Sequence, residues 1–275
     1  MRASLALRHA QRTAHRLTSA SPLVRARGGA GPAPPSLADD FALYPAFLSP
    51  AEARALAVLA LWKLDRMDSS RRRRRRRGAP AAADPPAPSP DDADSPLAAA
   101  MQDLFAPPYG FEEGHFDSVI HTYRESLVTN LPPLPGATLA LLARLYNLVP
   151  GLCVPGAPEP ADLPPPRSSM HVLHLAPEGA ILPHVDNLQA MGETIVGASL
   201  GAARVLRLEA DSGDGSGWDV LVPSGSVYMQ KGSVRYQYKH SILPYDDAGS
   251  VWDGAALQPG HRISLMVRDT PEQPM

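Results

Sequence analysis

The spacing of apolar positions changes near residue 170. Before that point it is helical. Ser49-Pro50-Ala51-Glu52 reads as a capping box with proline at the first helical position, and Leu56, Leu59, Leu61 and Leu64 follow, which predicts a helix over residues 50–64. Phe41, Leu43, Tyr44 and Phe47 form a short apolar entry to it. A second helix is expected over 137–148, where Leu139, Leu142, Leu145 and Leu148 share a face and Pro150 ends it. Residues 116–124 alternate in part, as a strand or strand-turn would. From His171 onward short segments are separated by turn residues: 171–175, 193–200, 204–208, 218–222, 226–231, 236–242 and 262–267. Short strands at this spacing predict a mainly β fold, a sandwich or jelly roll, with flanking helices on its N-terminal side.

Composition divides the chain further. Its 275 residues, 44% hydrophobic, suit one sizeable domain, yet 31 prolines are too many for one and they cluster. The first 38 residues hold six arginines and no acid before Asp39, the composition of a mitochondrial targeting segment addressed to the matrix. Residues 39–66 are expected to flank the main domain. Residues 67–98 carry seven consecutive arginines, Arg71 to Arg77, then a tract of Ala, Pro, Asp and Ser that cannot bury enough apolar surface to order itself, so a disordered insertion is expected there. The main domain then spans 99–270, its strand-rich core about 171–270, with a tail at 271–275.

Charge and cysteine content narrow the function. The whole chain is −2; without the six leader arginines and the insertion's seven arginines and five aspartates, the core is −10. A surface built to track nucleic-acid phosphates carries the opposite sign. Cys153 is the only cysteine, which excludes an intramolecular disulfide and a cysteine-rich zinc site. No apolar run reaches the roughly 20 residues that a membrane span needs.

His184-Val185-Asp186 places an imidazole and a carboxylate two residues apart, on one face of an extended segment. His240, on a later strand, is the candidate third ligand. Two histidines and one carboxylate form the facial triad of non-haem Fe(II) oxygenases, which leaves the opposite metal face open. On the 262–267 strand, Arg262, Ser264, Met266 and Arg268 share the face opposite Ile263, Leu265 and Val267. Two arginines facing inward call for an anion such as a dicarboxylate; facing outward they would be ordinary surface residues. A rival pattern is Gly197-Ala198-Ser199-Leu200-Gly201, which matches a serine-hydrolase elbow with Asp246 and His261 following, although β-like residues come after it where that motif needs a helix. His121, His171 and His174 read as structural histidines, the last two on opposite strand faces.

The order HxD, distant His and Arg-x-Ser-x-x-x-Arg resembles the AlkB-like Fe(II)/2-oxoglutarate-dependent dioxygenases, specifically their mitochondrial homologue-seven branch. The stretches that carry the resemblance include residues 44–49, 121–125, 171–173, 183–186, 225–228 and 260–264. It implies a double-stranded β-helix, iron held by His184, Asp186 and His240, and 2-oxoglutarate held by Tyr228 and Arg262. Ser264 would assist at the distal carboxylate and Arg268 at the keto-acid end. With O2 as co-substrate, such an enzyme oxidises a C–H bond and releases succinate and CO2. The branch implies a protein or metabolite substrate, with links to fatty-acid metabolism and programmed necrosis. Repair-type members carry Asn-x-Tyr before HxD and a further acid after it; here Leu173-His174-Leu175 and Asn187-Leu188 stand there, which argues against RNA or DNA base demethylation.

Overall fold

The computed structural model describes residues 14–75, 101–105 and 109–271, apart from 19, 31–32, 188–190, 212 and 214. Its strands are β1 (Val24–Arg27), β2 (Phe41–Tyr44), β3 (Glu112–Gly114), β4 (Ile120–Val128), β5 (Ser168–His184), β6 (Ile195–Gly201) and β7 (Arg204–Ala210). They continue with β8 (Gly217–Val222), β9 (Val227–Gln230), β10 (Tyr238–Ile242), β11 (Val251–Trp252), β12 (Ala255–Ala256) and β13 (Arg262–Asp269). The α-helices are α1 (Pro35–Asp39), α2 (Pro50–Arg75), α3 (Gly136–Tyr146) and α4 (Gly232–Gln237).

β5 organises the sheet because it belongs to both halves. Residues 168–175 pair with β13, and 170–175 also pair with β4 on the other side, whereas farther on Ile181 and His184 pair with β10. One half therefore runs β4-β5-β13-β6-β9-β2, and the other runs β5-β10-β7-β8-β1. The two halves curl over a shared apolar interior of Leu173, Leu175, Leu206, Leu208, Trp218, Val220, Tyr228 and Ile242. This antiparallel double sheet is the expected jelly roll.

The bend in β5 has a visible cause. Gly179 packs so close to the His121 and Thr122 carbonyls that a Cβ would collide with them. Beside it the buried Arg204 donates to the carbonyls of Ala176, Pro177, Gly179 and Leu243 at 2.9–3.2 Å. It supplies donors to carbonyls that the bend turns away from the ladder, three of them in buried contacts.

α2 begins as expected: Ser49 N–H donates to the Glu52 carboxylate at 2.8 Å and Glu52 N–H to the Ser49 hydroxyl at 3.2 Å. Leu56, Leu59, Leu61 and Leu64 are buried with α3 residues against the outer face of the β5-β13-β6 half. The helix runs past the expected end at Leu64 to Arg75. Arginine is a good helix former, and no glycine or proline interrupts the run before Gly78. Most of the expected insertion, residues 76–98, lies outside the described residues.

Other boundaries also differ. The 116–124 segment is a turn through residue 119 followed by β4, and Tyr236 belongs to α4, a short helix that period-2 reading of 236–242 did not anticipate. Residues 1–13, 19 and 31–32 of the expected leader lie outside the described residues, and several of its described residues pack onto the domain. Leu17 is fully buried, β1 extends the second half of the sheet along β8, and Arg25 stacks on Trp252.

Candidate metal and co-substrate site

His184 closes β5, and Asp186 follows it. His240 is the direct cross-strand partner of His184 in the β10 register, so the two imidazole rings lie 4.2 Å apart. One donor atom from each of His184, Asp186 and His240 lies within 4.8 Å of the others. The HxD spacing and the β5-β10 register together produce this convergence.

Hydrogen bonds set the orientation of the donors. His184 Nδ1–H donates to the Leu182 carbonyl at 2.9 Å, which turns Nε2 toward Asp186 Oδ1 at 3.2 Å. A metal-ligating histidine commonly has its second nitrogen held this way. Asp186 Oδ2 accepts from Arg268 Nη2 at 3.4 Å, and the Asp186 carbonyl accepts from Arg235 Nη1 at 3.2 Å. Burial would raise the Asp186 carboxyl, but His184, His240 and Arg268 outweigh it and hold the group far below the usual carboxylate range. Burial pushes His240 down to about 3, against the attraction of Asp186. A carboxylate and a neutral imidazole are the states that bind a divalent metal.

Cross-strand pairing sets the adjacent face. Opposed residues share a face, so Arg262 and Gly201, Ser264 and Ser199, Met266 and Gly197, and then Gly197 and Tyr228 all point into the interior. Arg262 is 1% exposed; its Nε donates to the Ser199 hydroxyl at 2.9 Å, while Nη1 and Nη2 have no partner. Arg268 Nε and Arg235 Nε and Nη2 are likewise buried without partners. Leaving buried guanidinium donors unpaired is costly, so this is a pocket that suits carboxylates. Tyr228 is buried over Gly197, where any Cβ would strike its ring, and burial raises its phenol, so it stands as a neutral donor beside Arg262. Ser264 is buried one register position from Arg262 on the same face.

Ser199 belongs to this pocket. It is fully buried in mid-strand and holds Arg262, so neither the exposure nor the strand-turn-helix setting of a hydrolase elbow is present. His174 and His261 pair with each other at 3.1 Å within a Phe105, Tyr109 and Phe111 cluster, away from the triad. The proline-rich loop 150–166 after α3 sends Val154 and Leu163 into the apolar cluster beneath α2 and α3. Arg235 had no signal in the sequence: it is one arginine in a short helix, and only folding brings it to Asp186.

The 2OG-Fe(II) oxygenase superfamily model matches residues 122–268, more than half of the chain, and the protein belongs to that family. Its members use Fe(II) and 2-oxoglutarate, and the donor set and unpaired guanidinium groups fit both. The chain is similar to the mitochondrial alpha-ketoglutarate-dependent dioxygenase alkB homolog 7 of Bos taurus, 36% identical over 162 residues. It is 33% identical over 162 residues to the Mus musculus protein of the same name. Each match covers 59% of this chain and 66% of the relative, just under two thirds of its length. Among solved structures, a Pseudomonas putida prolyl-4-hydroxylase aligns at TM-score 0.42 and 13% identity, covering 85% of this chain and 94% of that one. OsALKBH1 aligns at TM-score 0.35 and 15% identity, covering 62% and 89%.

Proposed function

We propose that the protein is an Fe(II)- and 2-oxoglutarate-dependent dioxygenase of the AlkB-like family that oxidises a C–H bond of a protein or metabolite. The overall change is substrate R–H, 2-oxoglutarate and O2 to R–OH, succinate and CO2. When bound, the iron and 2-oxoglutarate supply the activation of oxygen. His184, Asp186 and His240 would hold the metal, and Arg268 donates to Asp186 Oδ2, so that Oδ1 would be the oxygen available to it. Arg262 and Tyr228, with Ser264 beside them, would bind the distal carboxylate, and Arg268, which donates to Asp186, would serve the keto-acid end.

The observation that carries the reading is the convergence of His184, Asp186 and His240 within 4.8 Å, next to an Arg262 whose Nη atoms are buried and unpaired. Anaerobic Fe(II) and 2-oxoglutarate should give a weak visible charge-transfer band that His184→Ala abolishes. Succinate production by purified His184→Ala at the parent rate would overturn the assignment.

The mitochondrial names of the relatives and the basic N-terminal composition support a mitochondrial, matrix location, in the setting of fatty-acid metabolism and programmed necrosis that the resemblance implies. Because residues from Leu17 on pack into the domain, the targeting information is assigned to residues 1–13. Deleting those residues should leave a fluorescent fusion in the cytosol; continued import would refute it.

A further inference from the structure

The mouth of the site carries apolar surface that the fold leaves uncovered. Among the described residues, five large hydrophobic side chains are exposed: Phe116, Leu127, Leu182, Tyr236 and Val251. Phe116 and Leu182 lie toward the His184 end of β5, Tyr236 beside Arg235, and Leu127 farther along β4. Phe116, 92% exposed, sits at the β3–β4 turn, whose Val119 carbonyl accepts from the Leu182 N–H at 2.8 Å. Leu182 stands two residues before His184 and orients its ring. Tyr236 follows Arg235, and Leu127 lies opposite His171 on the interior face. Scattered exposed hydrophobics are ordinary, whereas Phe116, Leu127 and Leu182 all lie along the β4–β5 strand pair, which suits a docking surface.

Two carboxylates lie on this side of the sheet, Glu125 and Asp117. Glu125 is opposite Leu173 and Leu173 is opposite Ser264, so Glu125 shares the face of the co-substrate pocket. Its carboxylate meets His171 at 3.1 Å and His115 at 3.6 Å, and His115 meets Asp117 at 2.8 Å. Arg124, the basic residue of this hairpin, points to the other face, toward His174 and Asp65. Beyond its short pairing with β3, β4 has only β5 as a strand partner among the described residues, so residues 124–128 leave one edge without a neighbouring strand. An extended chain can add to such an edge.

We propose that the site's substrate is an extended polypeptide that presents a lysine or arginine side chain to Glu125, with its apolar neighbours seated on Phe116, Leu127 and Leu182. This rests on the dioxygenase reading and names the substrate class of that site.

The test uses the full chain with Mn(II) and 2-oxoglutarate, and fluorescein-labelled decapeptides of valine and leucine with a central lysine, alanine or glutamate. Fluorescence anisotropy should show the lysine peptide binding about tenfold tighter than the glutamate peptide, the worth of a charge-assisted hydrogen bond. Glu125→Gln should remove that preference. Phe116→Ala, at an exposed turn where folding is not at risk, should weaken all three peptides. Equal binding of the three peptides, no binding, or tighter binding of single-stranded RNA or anionic vesicles would overturn the proposal. The anaerobic charge-transfer band, recorded on the same wild-type sample, separates the two readings: a band without peptide preference sinks the substrate class alone, and no band sinks the dioxygenase reading beneath it.

Discussion

Arg262 Nε donates to the Ser199 hydroxyl at 2.9 Å, so the guanidinium is already oriented before any ligand arrives. Ser199→Ala would leave a buried donor unpaired and free the arginine to rotate. The expected effect is a KM for 2-oxoglutarate raised about tenfold with kcat little changed. Measuring succinate against 2-oxoglutarate concentration checks this, and an unchanged KM would show that the contact is only structural. Neither protein should label with a fluorophosphonate.

Gly197 has no room for a side chain, because the Tyr228 ring occupies the position of its Cβ. Gly197→Ala should displace Tyr228 and weaken 2-oxoglutarate binding while leaving the triad intact. Mn(II) binding followed by electron paramagnetic resonance should therefore survive while calorimetric binding of 2-oxoglutarate is lost. Equal loss of both would mean that the strand itself had moved.

Arg204 ties four carbonyls at the bend of β5, and its burial is complete. Arg204→Met fills similar volume but supplies no donors. Unfolding free energy should fall by about 3 kcal/mol or more, given about 1–3 kcal/mol for each buried polar group left unpaired. Urea denaturation measures it. Because His184 lies beyond that bend, metal affinity should fall as well.

His174 is fully buried and held down to about 2 by burial, with Arg124 and His261 adding to the shift. Arg124 Nε donates to His174 Nδ1 at 2.9 Å, so that nitrogen is unprotonated. An exposed imidazole titrates near 6.5. Below that value the unfolded chain takes up a proton that the folded His174 refuses, so stability falls as pH drops, by up to about 1.4 kcal/mol per pH unit. His174→Gln keeps an acceptor for Arg124 and should flatten the slope of urea-derived stability between pH 6.5 and 5. A parallel slope in parent and variant would show that His174 protonates freely in the fold.

The strand-rich region and the helix starting at Pro50 were legible because period and capping are local properties. The faces of β13 were legible too: alternation alone put Arg262, Ser264, Met266 and Arg268 together, as they are. Alternation could not say which face was inside. Tyr236 entered a strand expectation because its neighbours Tyr238 and Ile242 alternate, yet α4 ends one residue before β10 begins. β1 was hidden in a basic segment, since Arg25 and Arg27 find Asp219 only across the sheet. Ser199 drew a catalytic reading from its glycine neighbours, although one of those glycines is there to admit Tyr228.

By itself the sequence determined the donor types, the two-residue spacing of His184 and Asp186, and the common face of the arginines, because these follow from side-chain chemistry and the two-residue repeat of a strand. Tertiary structure decided the rest. The bend of β5 brings His184 beside His240, the β6 and β9 registers bring Ser199 and Tyr228 around Arg262, and α4 delivers Arg235 to Asp186. Each of these meetings joins residues far apart in the chain, so it depends on register and curvature, which no local pattern of residues contains.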